Sequence, residues 1–367
     1  MIICVDLSQR AKDQLDKLLE SGGYRDYSEA VAVAIANQLL LHSHTAENPA
    51  ATSRLLPRKI NAIETKNGNT AQSVEPLQVP TLFSDLGSGP SATRFAPYPD
   101  DNFVGGEEIP VDRWIFGQHN KLLPVKATCR ALARLMTADS KGSLAFAKTA
   151  SEIASEAVKL GDYLRHLDET SGVHRDEALS FAFPYSDSPN GDKSRLRYAN
   201  QFVAIVTKQG SLTGLPFELK LVNRDDNRTP QILLTEAGWL FAEMRNPILD
   251  DGNDGRQAKF SDEELEFLLA HICSRVPAEA FAYKLVLEAI ARGANTPEKV
   301  DDALEEYVPK RKDKPFTRAF LTTQRAGVVS RMIDLGLVQR IRDGINVTYK
   351  AVLTTFEYSP NLLRRVV

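Results

Sequence analysis

The side chains able to do chemistry in this 367-residue chain are scattered where catalysis would need them clustered. Six histidines (His42, His44, His119, His166, His174 and His271) form no helix-spaced metal pair of the His-Glu-x-x-His kind. Three cysteines, Cys4, Cys129 and Cys273, lie far apart without metal-ligand spacing, the usage of a reducing cytoplasm, and read as buried small hydrophobes. The glycine-rich run at 87–91 lacks the Gly-Lys-Ser/Thr end of a phosphate-binding loop, and no Gly-x-Ser-x-Gly nucleophile motif is present. The acids of 250–255 miss the ligand spacing of a calcium loop, so that stretch reads as a glycine-rich interdomain turn. Asp301-Asp302 and Glu305-Glu306 read as a charged helix face. The expectation is a non-enzyme with no cofactor and no metal.

Basic residues carry a stronger pattern. Net charge is only -3, so contact with nucleic acid requires local segregation of charge. Residues 260–309 hold eleven acids against four bases, and residues 310–350 hold ten bases against three acids. The bases are Lys310, Arg311, Lys312, Lys314, Arg318, Arg325, Arg331, Arg340, Arg342 and Lys350. A helix over 322–335 is expected to turn Ala326, Val329, Met332 and Ile333 inward and Gln324, Arg325 and Arg331 outward. A strand follows at 336–342, Asp343-Gly344 signals a hairpin, and a second strand runs over 345–353. This places an outward helix face for the major groove, a hairpin tip with Arg342 beside the backbone, and residues 310–314 as a phosphate-binding arm. Two further basic sets stand upstream. Lys126, Arg130 and Arg134 recur at i, i+4 and i+8 of a helix over 122–136, as either a solvated or a phosphate-facing stripe. Lys193 and Arg195 open a helix over 193–209, and Arg224 and Arg228 occupy the turn beyond it.

The elements that position these residues repeat. Ahead of the second basic set, 146–167 reads as one long helix or a pair. The helix over 193–209 is followed by an extended run at 217–222, a polar turn at 223–230, a second strand at 231–238 and a helix at 239–244. Downstream, a capping box at Ser261 and Glu264 opens helices at 264–273, 278–292 and 297–307 ahead of the 322–335 helix. Helix, two-stranded hairpin and Leu-Thr thus occur twice, and the pattern resembles a winged helix. The string at Leu234 to Gly238, Leu-Thr-Glu-Ala-Gly, is similar to the wing-to-helix junction of MarR-like proteins. That resemblance implies contact with DNA or docking of protein subunits.

At the N-terminus, residues 2–7 alternate as a strand, with Ile3, Val5 and Leu7 on one face, and two helices follow at 8–21 and 28–41. Leu15 and Leu18 form the apolar side of the first helix. The second, which carries Val31 and Ile35, is apolar nearly all round, so about forty residues cannot cover it alone. The order strand, helix, Gly-Tyr-Arg-Asp-Tyr-Ser-Glu-Ala-Val (23–31), helix resembles the ribbon-helix-helix family. The resemblance implies an intertwined dimer, strands paired into a groove-reading ribbon, and phosphate held at Ser28. Here the ribbon would point Ile2, Cys4 and Asp6 at the groove, which repels phosphate and offers few base contacts. The module is therefore expected to dimerise through Ile3, Val5, Leu7, Leu15, Leu18, Val31 and Ile35, with groove reading as the lesser alternative.

Seven prolines and two glycine-rich runs interrupt 42–108, which reads as a flexible linker with an end-to-end distance of about 45 Å; its apolar patch at 79–83 is alternatively a strap onto the body. With 43% hydrophobic and 25% charged residues and no apolar run near membrane-spanning length, the chain is expected to be cytoplasmic. The expected fold class is mainly α with small β (α+β): a ribbon-helix-helix-like module at 1–41, a linker at 42–108, a helical and winged-helix-like domain at 109–249, and a winged-helix-like domain at 256–358. The expected function is a homodimer binding double-stranded DNA, for transcriptional control or a DNA-maintenance or defence complex. The alternative is a non-catalytic adaptor that docks protein partners.

Overall fold

Side-chain caps decide where several helices begin. Thr235 accepts from the Gly238 amide, Thr317 from the Phe320 amide, and Ser261 from the Glu264 amide while the Glu264 carboxylate bonds back to Ser261 N. Each supplies a partner to amides that a helix start leaves unpaired. The computed structural model describes residues 78–87, 94–99, 109–138, 144–207, 212–225, 231–250, 258–307 and 316–352, all within one unit, Val74–Val367. The ribbon-helix-helix-like module at 1–41 and most of the expected linker lie outside the described residues.

The described chain is mainly helical with small antiparallel sheets. Helices α1 (Leu123–Ala138) and α2 (Phe146–Ser171) come first, and α2 is a single helix that ends where Gly172 turns left-handed at φ 65°. Then follow α3 (Gly191–Tyr198), which runs into a π turn at Ala199–Val203, the short pair β1 (Ile205–Val206) and β2 (Leu212–Thr213), and one helical turn, α4 (Leu215–Glu218). Strands β3 (Val222–Asp225) and β4 (Gln231–Leu234) pair with Val222 opposite Leu234 and lead into α5 (Glu236–Glu243) and α6 (Pro247–Asp250). The last part holds α7 (Asp262–Arg275), α8 (Pro277–Ala291), α9 (Pro297–Tyr307), α10 (Arg318–Asp334) and the hairpin β5 (Val338–Asp343) with β6 (Asn346–Ala351).

Two local expectations change. The extended run at 217–222 is instead the end of a helical turn followed by a bend, because Pro216 supplies a preset φ at the start of the turn and Lys220 then adopts φ 57°; pairing begins only at Val222. The strand expected to reach Gly238 stops at Leu234, since the Thr235 cap starts the helix there. Gly238 lies so close to Leu221 O that a Cβ would collide with it.

The stretches read as two separate bodies share one hydrophobic cluster, from Ile109, Leu122 and Leu132 through Phe241 to Phe260, Leu268, Val328 and Tyr349. Residues 109–121 make the join. Gly117 donates its amide to Gln324 Oε1 at 2.5 Å, Gln324 Nε2 donates to Val111 O at 3.0 Å, and the Leu122 amide donates to Asp334 at 3.0 Å. The end of the expected linker is also packed. Phe83 is buried, the Ala96 amide donates to Leu234 O at 2.8 Å, Asn223 donates to Pro97 O at 2.8 Å, and Phe95 lies 6.0 Å from Trp239. Over 78–87 and 94–99 the chain is thus a strap on the body. No helix of the described residues is long and apolar enough to cross a membrane.

Candidate nucleic-acid interface

The basic stripe of α1 is internal. Lys126 and Arg130 are both 0% exposed. The Lys126 ammonium donates to Phe241 O at 2.5 Å and Met244 O at 2.6 Å and lies 2.8 Å from Glu264. Burial, only partly offset by Glu264, lowers its pKa to about 8. Arg130 forms a fork with Asp250, at 2.7 and 2.6 Å, and donates to Ala242 O and Met244 O. Arg134 donates to Asp85 O at 2.6 Å and so holds the strap. Neither the phosphate-facing nor the solvated reading of this stripe stands, because Lys126 and Arg130 are spent on carbonyls at the end of α5 and on Glu264 and Asp250, and Arg134 on the strap.

The expected outward face of α10 is likewise buried. Arg331 is 0% exposed and bonds Glu279 through Nε at 2.6 Å and NH2 at 2.9 Å, and donates to His119 O at 2.5 Å. Burial pushes this guanidinium down, but Glu279 outweighs it and holds the pKa above its usual range. Arg325 pairs with Asp301, Nε at 2.9 Å, and reaches the Tyr349 hydroxyl at 3.3 Å. Gln324 is spent on the 109–121 segment. These three side chains are corrected from groove contacts to core contacts: residues 109–121 cover one side of the helix, and α8, α9 and the hairpin occupy the others. Part of the charge inversion is thereby explained, since Glu264, Glu279 and Asp301 of the acidic stretch are the partners of Lys126, Arg331 and Arg325.

The remaining basic residues are spread over the surface. Arg318 is exposed between Asp302 at 2.7 Å and Glu305 at 3.1 Å. Strand register places Arg340 and Arg342 on the hairpin face of Tyr349, half-buried and engaged within the fold, and Lys350 on the opposite face beside Gln339. The tight turn comprises Gly344, at φ 58°, and Ile345, with Asp343 paired to Asn346; Ile345 is 94% exposed. Lys193 and Arg195 are exposed on α3, Arg195 beside Asp192, and Arg224 is half-buried on β3 with a partner in the fold. Lys310, Arg311, Lys312, Lys314 and Arg228 lie outside the described residues, as do the dimerisation residues Ile3, Val5, Leu7, Leu15, Leu18, Val31 and Ile35.

A cleft of about 540 Å³ lies between residues 117–120, the turns at 175–182, α3 with its π turn, and the Thr322–Ala326 part of α10. Arg175 and Arg197 line it, with no carboxylate among the described lining residues. Neither arginine has an ion-pair partner among the described residues. The sequence signal for Arg197 was present, two residues beyond Arg195, but nothing in sequence brings Arg175 or the Gln118–Asn120 turn to it. His119 Nδ1 lies 2.7 Å from Glu218, a contact that serves the core beneath 109–121. No group of three or more metal-ligating side chains occurs among the described residues.

No family model matches the chain, and neither a curated protein nor a solved structure matches it.

Proposed function

We propose that the chain is a homodimeric protein that binds double-stranded DNA by its phosphate backbone, through the basic run at 310–314 and the β5–β6 hairpin, and that α10 does not enter a groove. One observation carries this reading. With Arg325, Arg331 and Asp334 bonded in the core and Arg318 held by Asp302 and Glu305, residues 310–350 still retain seven bases against two acids. Such a surface binds duplex with little base discrimination, because phosphate contacts position a protein without reading sequence. Replacing Lys310, Arg311, Lys312 and Lys314 together by glutamate abolishes duplex retardation in a gel on this reading; unchanged retardation overturns it. The dimer rests on residues 2–41, and deleting 1–41 should halve the solution mass measured by light scattering, whereas an unchanged mass defeats it.

An adaptor role, the second reading, draws on a different feature. An apolar groove of about 420 Å³ runs between Ala147, Ala150 and Ala154 of α2 and the exposed Leu196 and Ile205. Partners that survive nuclease treatment, together with no retardation of any duplex, would replace the DNA reading with this one.

A further inference from the structure

The cleft beside α10 differs in chemistry from the rest of the surface. Most cations described above are matched: Lys126, Arg130, Arg318, Arg325 and Arg331 each face a carboxylate. Arg175 and Arg197 are exposed, line one concavity, and share it with no carboxylate among the described residues. Gln118, Asn120 and Gln201 line the same concavity, and none of their amide groups has a hydrogen-bond partner among the described residues. Phe181 adds an aromatic ring that is 38% exposed, with the buried Lys121 ammonium 5.6 Å from its centroid. Paired guanidinium groups suit phosphate oxygens, free amides suit the donor and acceptor edge of a base, and an exposed ring suits a base face. The volume falls within the range of small-molecule sites, about 300–1,000 Å³.

We infer that this cleft binds a nucleotide, with Arg175 and Arg197 on the phosphate, Phe181 stacked on the base, and Gln118, Asn120 and Gln201 on its edge. The site involves neither the 310–314 run nor the β5–β6 hairpin and does not rest on DNA binding. Its walls nevertheless include α10 and the 117–120 turn, so an occupant spans the join between the N- and C-terminal parts of the described body.

The test is calorimetric titration of the full chain, without DNA, using AMP, ATP, pyrophosphate and adenosine as separate probes. AMP and ATP should bind and adenosine should not. Arg175→Ala and Arg197→Ala should each weaken AMP by roughly tenfold or more, the scale of a charge-assisted hydrogen bond. Phe181→Ala should weaken AMP while leaving pyrophosphate unchanged. All three side chains are exposed, so an unaltered melting temperature certifies that each variant is folded. Failure of every phosphate-bearing probe to bind overturns the inference, as does binding indifferent to both arginines. Equal binding of AMP and pyrophosphate with no effect of Phe181→Ala overturns the nucleotide class. An oligonucleotide that binds through both arginines when no mononucleotide does overturns it in favour of a strand-binding channel. The glutamate variants of 310–314 should leave nucleotide binding intact, so failure here is separable from failure of the DNA reading.

Discussion

Buried guanidinium groups are expensive to desolvate and are retained when each of their nitrogens finds a partner. Arg331 meets that condition with two bonds to Glu279 and one to His119 O, and Arg130 with its fork to Asp250 and two carbonyls. Arg331→Met strands the Glu279 carboxylate in the core and should cost about 3–5 kcal/mol in urea unfolding. Adding Glu279→Leu removes the stranded charge and should recover much of that loss; a double variant no more stable than the single one would refute the pairing. His271 supplies a pH test. Burial lowers its pKa, against a bond in which Nε2 donates to Leu219 O at 2.8 Å, so the folded protein keeps it neutral where the unfolded chain would protonate it. Stability from this site is therefore complete above the ordinary histidine value of about 6.5 and is lost as pH falls below it. A melting temperature that falls less steeply below that pH in His271→Gln than in the parent is the expected result, and equal slopes would contradict it. These residue roles were not legible in the sequence. A lysine or arginine at i, i+4 spacing looks identical whether solvent or a carboxylate over a hundred positions away receives it.

At the scale of elements, caps and breaks were legible and facing was not. Ser261 with Glu264 and Pro297 mark helix starts that local chemistry alone dictates, and the helix at 297–307 falls where its proline start places it. The hairpin at 338–351 was likewise visible from alternation, although its turn is Gly344-Ile345, one residue later than the Asp-Gly signal, because glycine takes the first central position. The orientation of α10 failed because the reading assigned its charged face to solvent, whereas the crossing of residues 109–121 is a long-range contact. Gly327 and Gly117 permit that crossing by backbone approach: a Cβ on Gly327 would meet the Gly117 backbone, and one on Gly117 would meet Thr323 O. In an open helix, glycine to alanine gains about 0.5–1 kcal/mol. Gly327→Ala should instead lose about 1–3 kcal/mol, the cost of overpacking, and a stabilised variant would show that the segment does not lie against α10.

Across the whole molecule, much of the charge that looked like a recognition surface is spent holding one core together. Acidic α7, α8 and α9 receive basic side chains from α1 and α10, and the two stretches expected to fold separately are joined through those bonds and through residues 109–121. On the proposed reading, a phosphate backbone is met by the basic run at 310–314 and the β5–β6 hairpin. The salt dependence of duplex binding tests that claim most directly. If about six phosphates are met, the logarithm of the binding constant should fall with the logarithm of salt concentration with a slope near -5, at about 0.9 per phosphate. Glutamate at 310, 311, 312 and 314 should flatten that slope, whereas Arg175→Ala should not. A parent slope near zero, or a slope unchanged by the four substitutions, would contradict the account.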